Sequence, residues 1–170
     1  APPTSPFSSE INYDPPGTDA GEFVEVQLPA GTSSAGLSIV LYNGANGAVY
    51  ATYPLPSMTA PADAPAVVVA NTPGLQNGPP DGLALVRGTE VLEFLSYEGT
   101  LTATNGPASG QTSTDIGVSQ SGSQAADESL SRSYNTSTET LELFAAATAS
   151  PGTVNPTTGG AAPRARNGRR

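Results

Sequence analysis

Short hydrophobic runs recur along the chain, separated by Gly, Pro, Asn and Asp. From Glu22 to Leu28 the pattern alternates: Phe23, Glu25 and Gln27 point one way, and Glu22, Val24, Val26 and Leu28 the other. That period of two predicts a strand with one face in a core. From Phe7 to Tyr13 the alternation is partial, with Phe7, Ser9, Ile11 and Tyr13 expected on one side. Leu37 to Tyr42 is a nearly continuous apolar run followed by Asn43-Gly44 and Asn46-Gly47, then Val49 to Tyr53. Asn-Gly between two such runs predicts a β-hairpin. Ala66 to Ala70 is β-branched at its centre and reads as a fully buried strand. Leu83 to Val86 and Val91 to Tyr97 flank Arg87-Gly88-Thr89 and predict a second hairpin. Leu130 to Tyr134 and Leu141 to Phe144 are weaker strands, and Gln124 to Leu130 has room for one helical turn.

The sum is an all-β chain of about eight or nine short strands, whose spacing suggests a β-sandwich. Gly99 to Gln124 lacks strand character. A segment of that length inside a compact domain is expected to be functional or to cover an edge. No fixed-period repeat supports a solenoid or propeller. The organisation expected is a Pro-rich extended arm over residues 1–6, a domain over 7–156, and a Gly/Arg-rich tail over 157–170.

Composition narrows the chemistry. The 170 residues include no His and no Cys, and all six basic residues are Arg. Zinc sites built on His or Cys, disulfides, Ser-His-Asp triads, Schiff-base lysines and the Lys-bearing phosphate loop are therefore excluded. Lys–Asn isopeptide crosslinks are excluded for the same reason. What remains is carboxylates, hydroxyls, Tyr and Arg.

Arg87 and Arg132 are the only basic residues before position 164, whereas all fifteen acids precede it. Such an acidic body repels phosphate backbones, so nucleic acid is not an expected partner. The four arginines of the tail are expected to be solvated or to tether to an acidic neighbour. No stretch of 18 apolar residues suits a membrane-spanning helix. Ala1-Pro2-Pro3-Thr4 is what signal cleavage leaves at a mature N-terminus, giving an expectation of a secreted, extracellular or cell-surface protein.

The densest candidate site is Asp14-Pro15-Pro16-Gly17-Thr18-Asp19-Ala20-Gly21-Glu22. Asp14, Asp19 and Glu22 could supply oxygen ligands to Ca²⁺. Their spacing does not match an EF-hand loop, and Asp and Gly are also ordinary turn residues, so a plain hairpin loop is the alternative. Glu22 and Glu25 lie three apart and point to opposite faces of a strand, as Glu93 and Glu98 do. A glycosidase pair would have to come from different strands. The other reading places these glutamates on a solvated sheet face, guarding edges. The six tyrosines are expected to be half-buried with capped hydroxyls rather than to form a stacking platform. Asn135-Thr136-Ser137 is a glycosylation sequon.

Taken in order, several motifs resemble the lamin-tail domain, in its bacterial secreted or surface form. They are Ser9-Glu10-Ile11, then Gly21-Glu22-Phe23-Val24-Glu25-Val26, then Ala35-Gly36-Leu37-Ser38-Ile39. Leu75 to Leu85, Val91 to Gly99 and Thr112 to Gly117 continue the resemblance, and Ser129-Leu130-Ser131-Arg132 and Ser150-Pro151-Gly152-Thr153-Val154-Asn155 close it. It covers residues 7–156. Leu37 departs from the family, which has Trp after the Gly. The resemblance implies an immunoglobulin-like β-sandwich and no enzyme. The function expected is a structural or interaction protein that assembles through its termini into an extracellular filament or surface layer. Copies of itself, or a cell-surface or matrix component, are the expected partners. The alternative is an accessory module that targets a secreted nuclease or phosphatase to its substrate.

Overall fold

The computed structural model describes residues 2–17 and 20–160. Their regular structure is entirely β: β1 (Phe7–Asn12), β2 (Phe23–Leu28), β3 (Leu37–Asn43), β4 (Val49–Pro54), β5 (Ala66–Asn71), β6 (Asp81–Arg87), β7 (Glu90–Tyr97), β8 (Thr114–Asp115), β9 (Glu128–Ser131), β10 (Tyr134–Asn135), β11 (Thr140–Leu141) and β12 (Ala145–Thr148). One sheet has the order β12-β9-β1-β2-β5 and the other β4-β3-β6-β7-β8, with β10 and β11 forming a small ribbon. Every pairing is antiparallel except β7 with β8.

The arrangement is sandwich-like because both sheets contribute to one core. Ile11, Val24, Val26, Leu28, Val68 and Leu130 of the first sheet join Ile39, Leu41, Leu83, Leu85 and Leu95 of the second. Burying such side chains contributes about 1.5–3 kcal/mol each against exposure. The alternation read in β2 holds, with Val24, Val26 and Leu28 all in this core. Both expected hairpins form, β3–β4 after Asn43-Gly44 and β6–β7 across Gly88. In the first, Gly47 (φ +70°) donates its N–H to Asn43 O at 2.7 Å.

Four expectations need correction. In β1 a register shift between Ser8 and Glu10 breaks the alternation. Phe7 stands opposite Gln27 while Ile11 stands opposite Val24, so the two aim to different faces. β5 is an edge strand, so Ala66 and Val69 are only half-buried rather than fully buried. The last strand is Ala145–Thr148, displaced from the expected 141–144, because Phe144 turns into the core. Between Gln124 and Leu130 the chain makes a turn at 126–127 and then enters β9, with no helix.

The long segment after β7 does cover an edge, through β8. It also roofs the outer face of the second sheet. Leu101, Ala103 and Ala108 pack there on Val40, Tyr42, Ala84, Val86 and Phe94 as a second apolar cluster. Gly82 has no room for a side chain, since a Cβ would sit 2.7 Å from Leu95 O and 3.0 Å from Leu101.

Candidate functional site

Of the three calcium candidates, Asp14 follows β1 and Glu22 precedes β2, at the two ends of one hairpin loop. Asp19 lies outside the described residues. Asp14 is half-buried, and its Oδ1 is 3.3 Å from Asn77 Nδ2. Its backbone is gripped from both sides: its N–H donates to Gln120 Oε1 at 2.9 Å, and its C=O accepts from Gln124 Nε2 at 2.7 Å. The Glu22 side chain is buried, and Glu22 O accepts from Thr72 N at 3.0 Å. Among the described residues no three acidic side chains converge as a metal centre would require.

Burial is what the sequence did not disclose about the glutamates. Glu10 and Glu25 both have 0 % exposure, which corrects the expected solvated face for Glu25 and, with its buried side chain, for Glu22. Glu10 and Glu25 stand directly opposite each other on β1 and β2. Over them runs a strap, residues 149–155. Glu10 Oε1 accepts from Ser150 N at 2.8 Å and Ser150 Oγ at 3.2 Å, while Glu10 Oε2 has no hydrogen-bond partner among the described residues. Glu25 Oε1 accepts from Ser9 Oγ at 2.8 Å, and Glu25 Oε2 from Gly152 N at 2.8 Å. Asn155 Nδ2 closes the strap by donating to Ser9 O and Arg132 O. Burial, opposed by those hydrogen bonds and reinforced by the charge of Glu10, pushes the Glu25 carboxyl up to about 7. Two carboxylates from neighbouring strands do meet here, but with zero exposure no sugar could reach them.

The other buried acids also hold chain segments. Asp81 accepts from Gly44 N at 2.9 Å and Gly78 N at 2.7 Å, which joins the β3–β4 turn to the loop before β6. Glu93 reaches across from β7 to the first sheet. It accepts from Ser8 N at 2.6 Å and forms an ion pair with Arg132, which also donates from Nε to Ser8 O at 2.8 Å. The Arg132 guanidinium lies 4.5 Å from the Phe144 ring centroid, and both members of the pair are nearly buried, at 10 % and 13 % exposure. By contrast, Glu98 and Asp115 border a shallow depression of about 160 Å³ with Ser119. Glu98 is exposed and carries a left-handed φ of +60°.

Five of the six tyrosines tie a hydroxyl to loop backbone, as expected, but Tyr13, Tyr42, Tyr97 and Tyr134 are buried rather than half-buried, Tyr13 and Tyr97 in the shared core and Tyr42 in the second cluster. Tyr42 donates to Asn105 O and accepts from Ala108 N, both at 3.0 Å. Tyr53 donates to Pro73 O at 2.6 Å. Tyr50 accepts from Gln76 N at 2.8 Å, and Tyr97 donates to Gln76 O. Tyr13 accepts from Gln120 N at 2.6 Å and stacks on Tyr97 with centroids 3.8 Å apart. Burial raises the phenol pKa of Tyr13, Tyr42 and Tyr97, and that of Tyr50 to about 12. These hydroxyls stay protonated at neutral pH and act as pins.

Two surface features remain. An open depression of about 550 Å³ is lined by the Pro2–Phe7 arm, Leu92, Glu93, Tyr134, Glu139, Thr140 and Leu141. At the rim of the first sheet, all four residues of β12 are exposed, and Leu143 just before it is 86 % exposed. No charge occurs from Leu143 to Val154, nor from Ala64 to Pro80 around β5 at the opposite edge of the same sheet.

Comparison with known proteins finds no matching family model, no matching curated protein and no matching solved structure.

Proposed function

We propose that this chain is a secreted, non-enzymatic structural protein. It carries an immunoglobulin-like, lamin-tail-like domain that self-associates into an extracellular filament or surface layer. One observation carries the reading. The first sheet ends on both sides in uncharged strands, β12 and β5. Soluble sandwiches ordinarily protect such edges with Lys, Pro or inward charges. Pairing β12 of one copy with β5 of the next would extend the sheet from copy to copy. That contact is head-to-tail, so it does not stop at two copies but propagates, as a filament or, where the rotation closes, a ring.

Electrostatics supports the choice of edge. Copies of so acidic a body repel one another. The two uncharged rims are where they approach at least cost, and the four arginines that follow β12 in sequence complement an acidic neighbour. The buried acids support a non-catalytic role, because Glu10, Glu25, Asp81 and Glu93 are all engaged in holding chain segments together.

The test is Ala147→Lys, which places one charge on the β12 edge. Light scattering should show wild type growing with concentration and the variant remaining small, with identical circular dichroism. Equal association of both proteins would remove β12 from the interface. A wild type that stays single at every concentration would favour a targeting module instead.

A further inference from the structure

We propose that the Glu10–Glu25 pair is a pH-operated clasp: a proton on Glu25 keeps the strap 149–155 seated on the first sheet, and its loss to water loosens the strap. The geometry is a cross-strand pair of fully buried carboxyl groups. Their ligands are almost entirely strap atoms, Ser150 N, Ser150 Oγ and Gly152 N, with Ser9 Oγ the exception. With Glu25 protonated, its Oε1–H can donate to Ser9 Oγ while Oε2 still accepts from Gly152. The site then carries one negative charge, on Glu10, facing two Ser150 donors. With Glu25 ionised, a second charge stands beside the first at zero exposure, and Glu10 Oε2 has no hydrogen-bond partner among the described residues. Two like charges on directly paired, fully buried side chains cannot both ionise cheaply.

Among the described residues no other charge relieves the pair. β5 is uncharged, as are β12 and the strap itself. On β9, Glu128 stands opposite Thr148 at the far end of the β12 pairing. The Arg132 side chain turns to Ser8 O and Glu93, and only its backbone carbonyl meets the strap, through Asn155. The inexpensive escape is to lift the strap and let water in. It lies on the surface, with Pro151, Gly152 and Thr153 exposed, whereas the strands beneath are locked in the core.

The magnitude follows from linkage. A carboxyl that titrates near 7 when closed and at 4.5 when free makes opening roughly 70-fold more favourable at pH 8 than at pH 5. The experiment is amide hydrogen exchange on the whole protein at pH 5 to 8, with each rate divided by the intrinsic rate at that pH. Gly152 and Ser150 should lose protection by that factor and, at every pH, exchange far faster than Val26 and Leu85 in the core, which need the whole domain to open. Glu25→Gln, whose amide reproduces the protonated pattern, should flatten the Gly152 profile and keep it protected at pH 8. A flat profile in wild type would overturn the proposal even if the variant fails to fold. So would protection at Gly152 as high as that at Val26, which would mean that the strap opens only with the whole domain.

Discussion

Replacing Arg132 by Met should be the most damaging single change outside the apolar core. Arg132 is nearly buried, pairs with Glu93 of the opposite sheet, bonds Ser8 O through Nε, and packs on Phe144. Methionine keeps much of the packing but strands the Glu93 carboxylate, which would retain only the Ser8 N–H. Breaking a buried pair from one side costs about 3–5 kcal/mol, because the partner's charge stays desolvated. The lost contact with the ring adds roughly 0.5–2 kcal/mol where the cation is dry. We expect a loss of about 4 kcal/mol, read from urea unfolding followed by circular dichroism with an unchanged m-value. For a chain of this size that corresponds to a fall in Tm of roughly 8–16 °C. Adding Glu93→Gln to the Arg132→Met protein should recover part of the loss, with a coupling of about 2 kcal/mol in the double-mutant cycle. A loss below about 1 kcal/mol for Arg132→Met, or additive effects, would refute a buried inter-sheet ion pair.

The remaining predictions concern the other buried polar groups. Because the Glu25 carboxyl is raised to about 7 from 4.5, the protonated form is favoured on folding. The Glu25 contribution to stability is therefore fully present below pH 4.5, is lost as pH rises towards 7, and levels off above it. The span is about 3 kcal/mol in urea midpoints taken at pH 4.5 and 8, and Glu25→Gln should remove it. Tyr42→Phe leaves Asn105 O and Ala108 N without their shared hydroxyl and should cost about 1–3 kcal/mol, with faster amide exchange at Ala108. Asp81→Ala frees the Gly44 and Gly78 amides together and should cost about 2–4 kcal/mol by the same measurement. Gly106→Ala combines a left-handed φ of +70° with a Cβ 2.6 Å from Val49 and 2.7 Å from Tyr42 Oη, so it should destabilise by about 2 kcal/mol or more.

Much of the fold was legible because its signals are local. The alternation of β2 and the Asn-Gly and Arg-Gly turns fix strands and hairpins from residues a few positions apart. The Ser8/Glu10 irregularity left no mark, since Ser-Ser-Glu continues a strand as readily as it breaks one. β12 was misplaced because three alanines have little strand preference and earn their place only by pairing with β9. The fate of the glutamates was least legible. A strap that arrives 140 residues later turns the polar face of β1 and β2 into an interior. Only Ser150-Pro151-Gly152, a segment carrying donors and no charge, hinted at a partner for acids.

On the proposed function, copies of this sandwich-like domain join one another through their uncharged rims. Light scattering of the purified 17.0 kDa chain across a wide concentration range, at neutral pH and moderate salt, tests it most directly. The mass should rise with concentration beyond that of a dimer. A mass fixed at that of one chain, at every concentration, would contradict it.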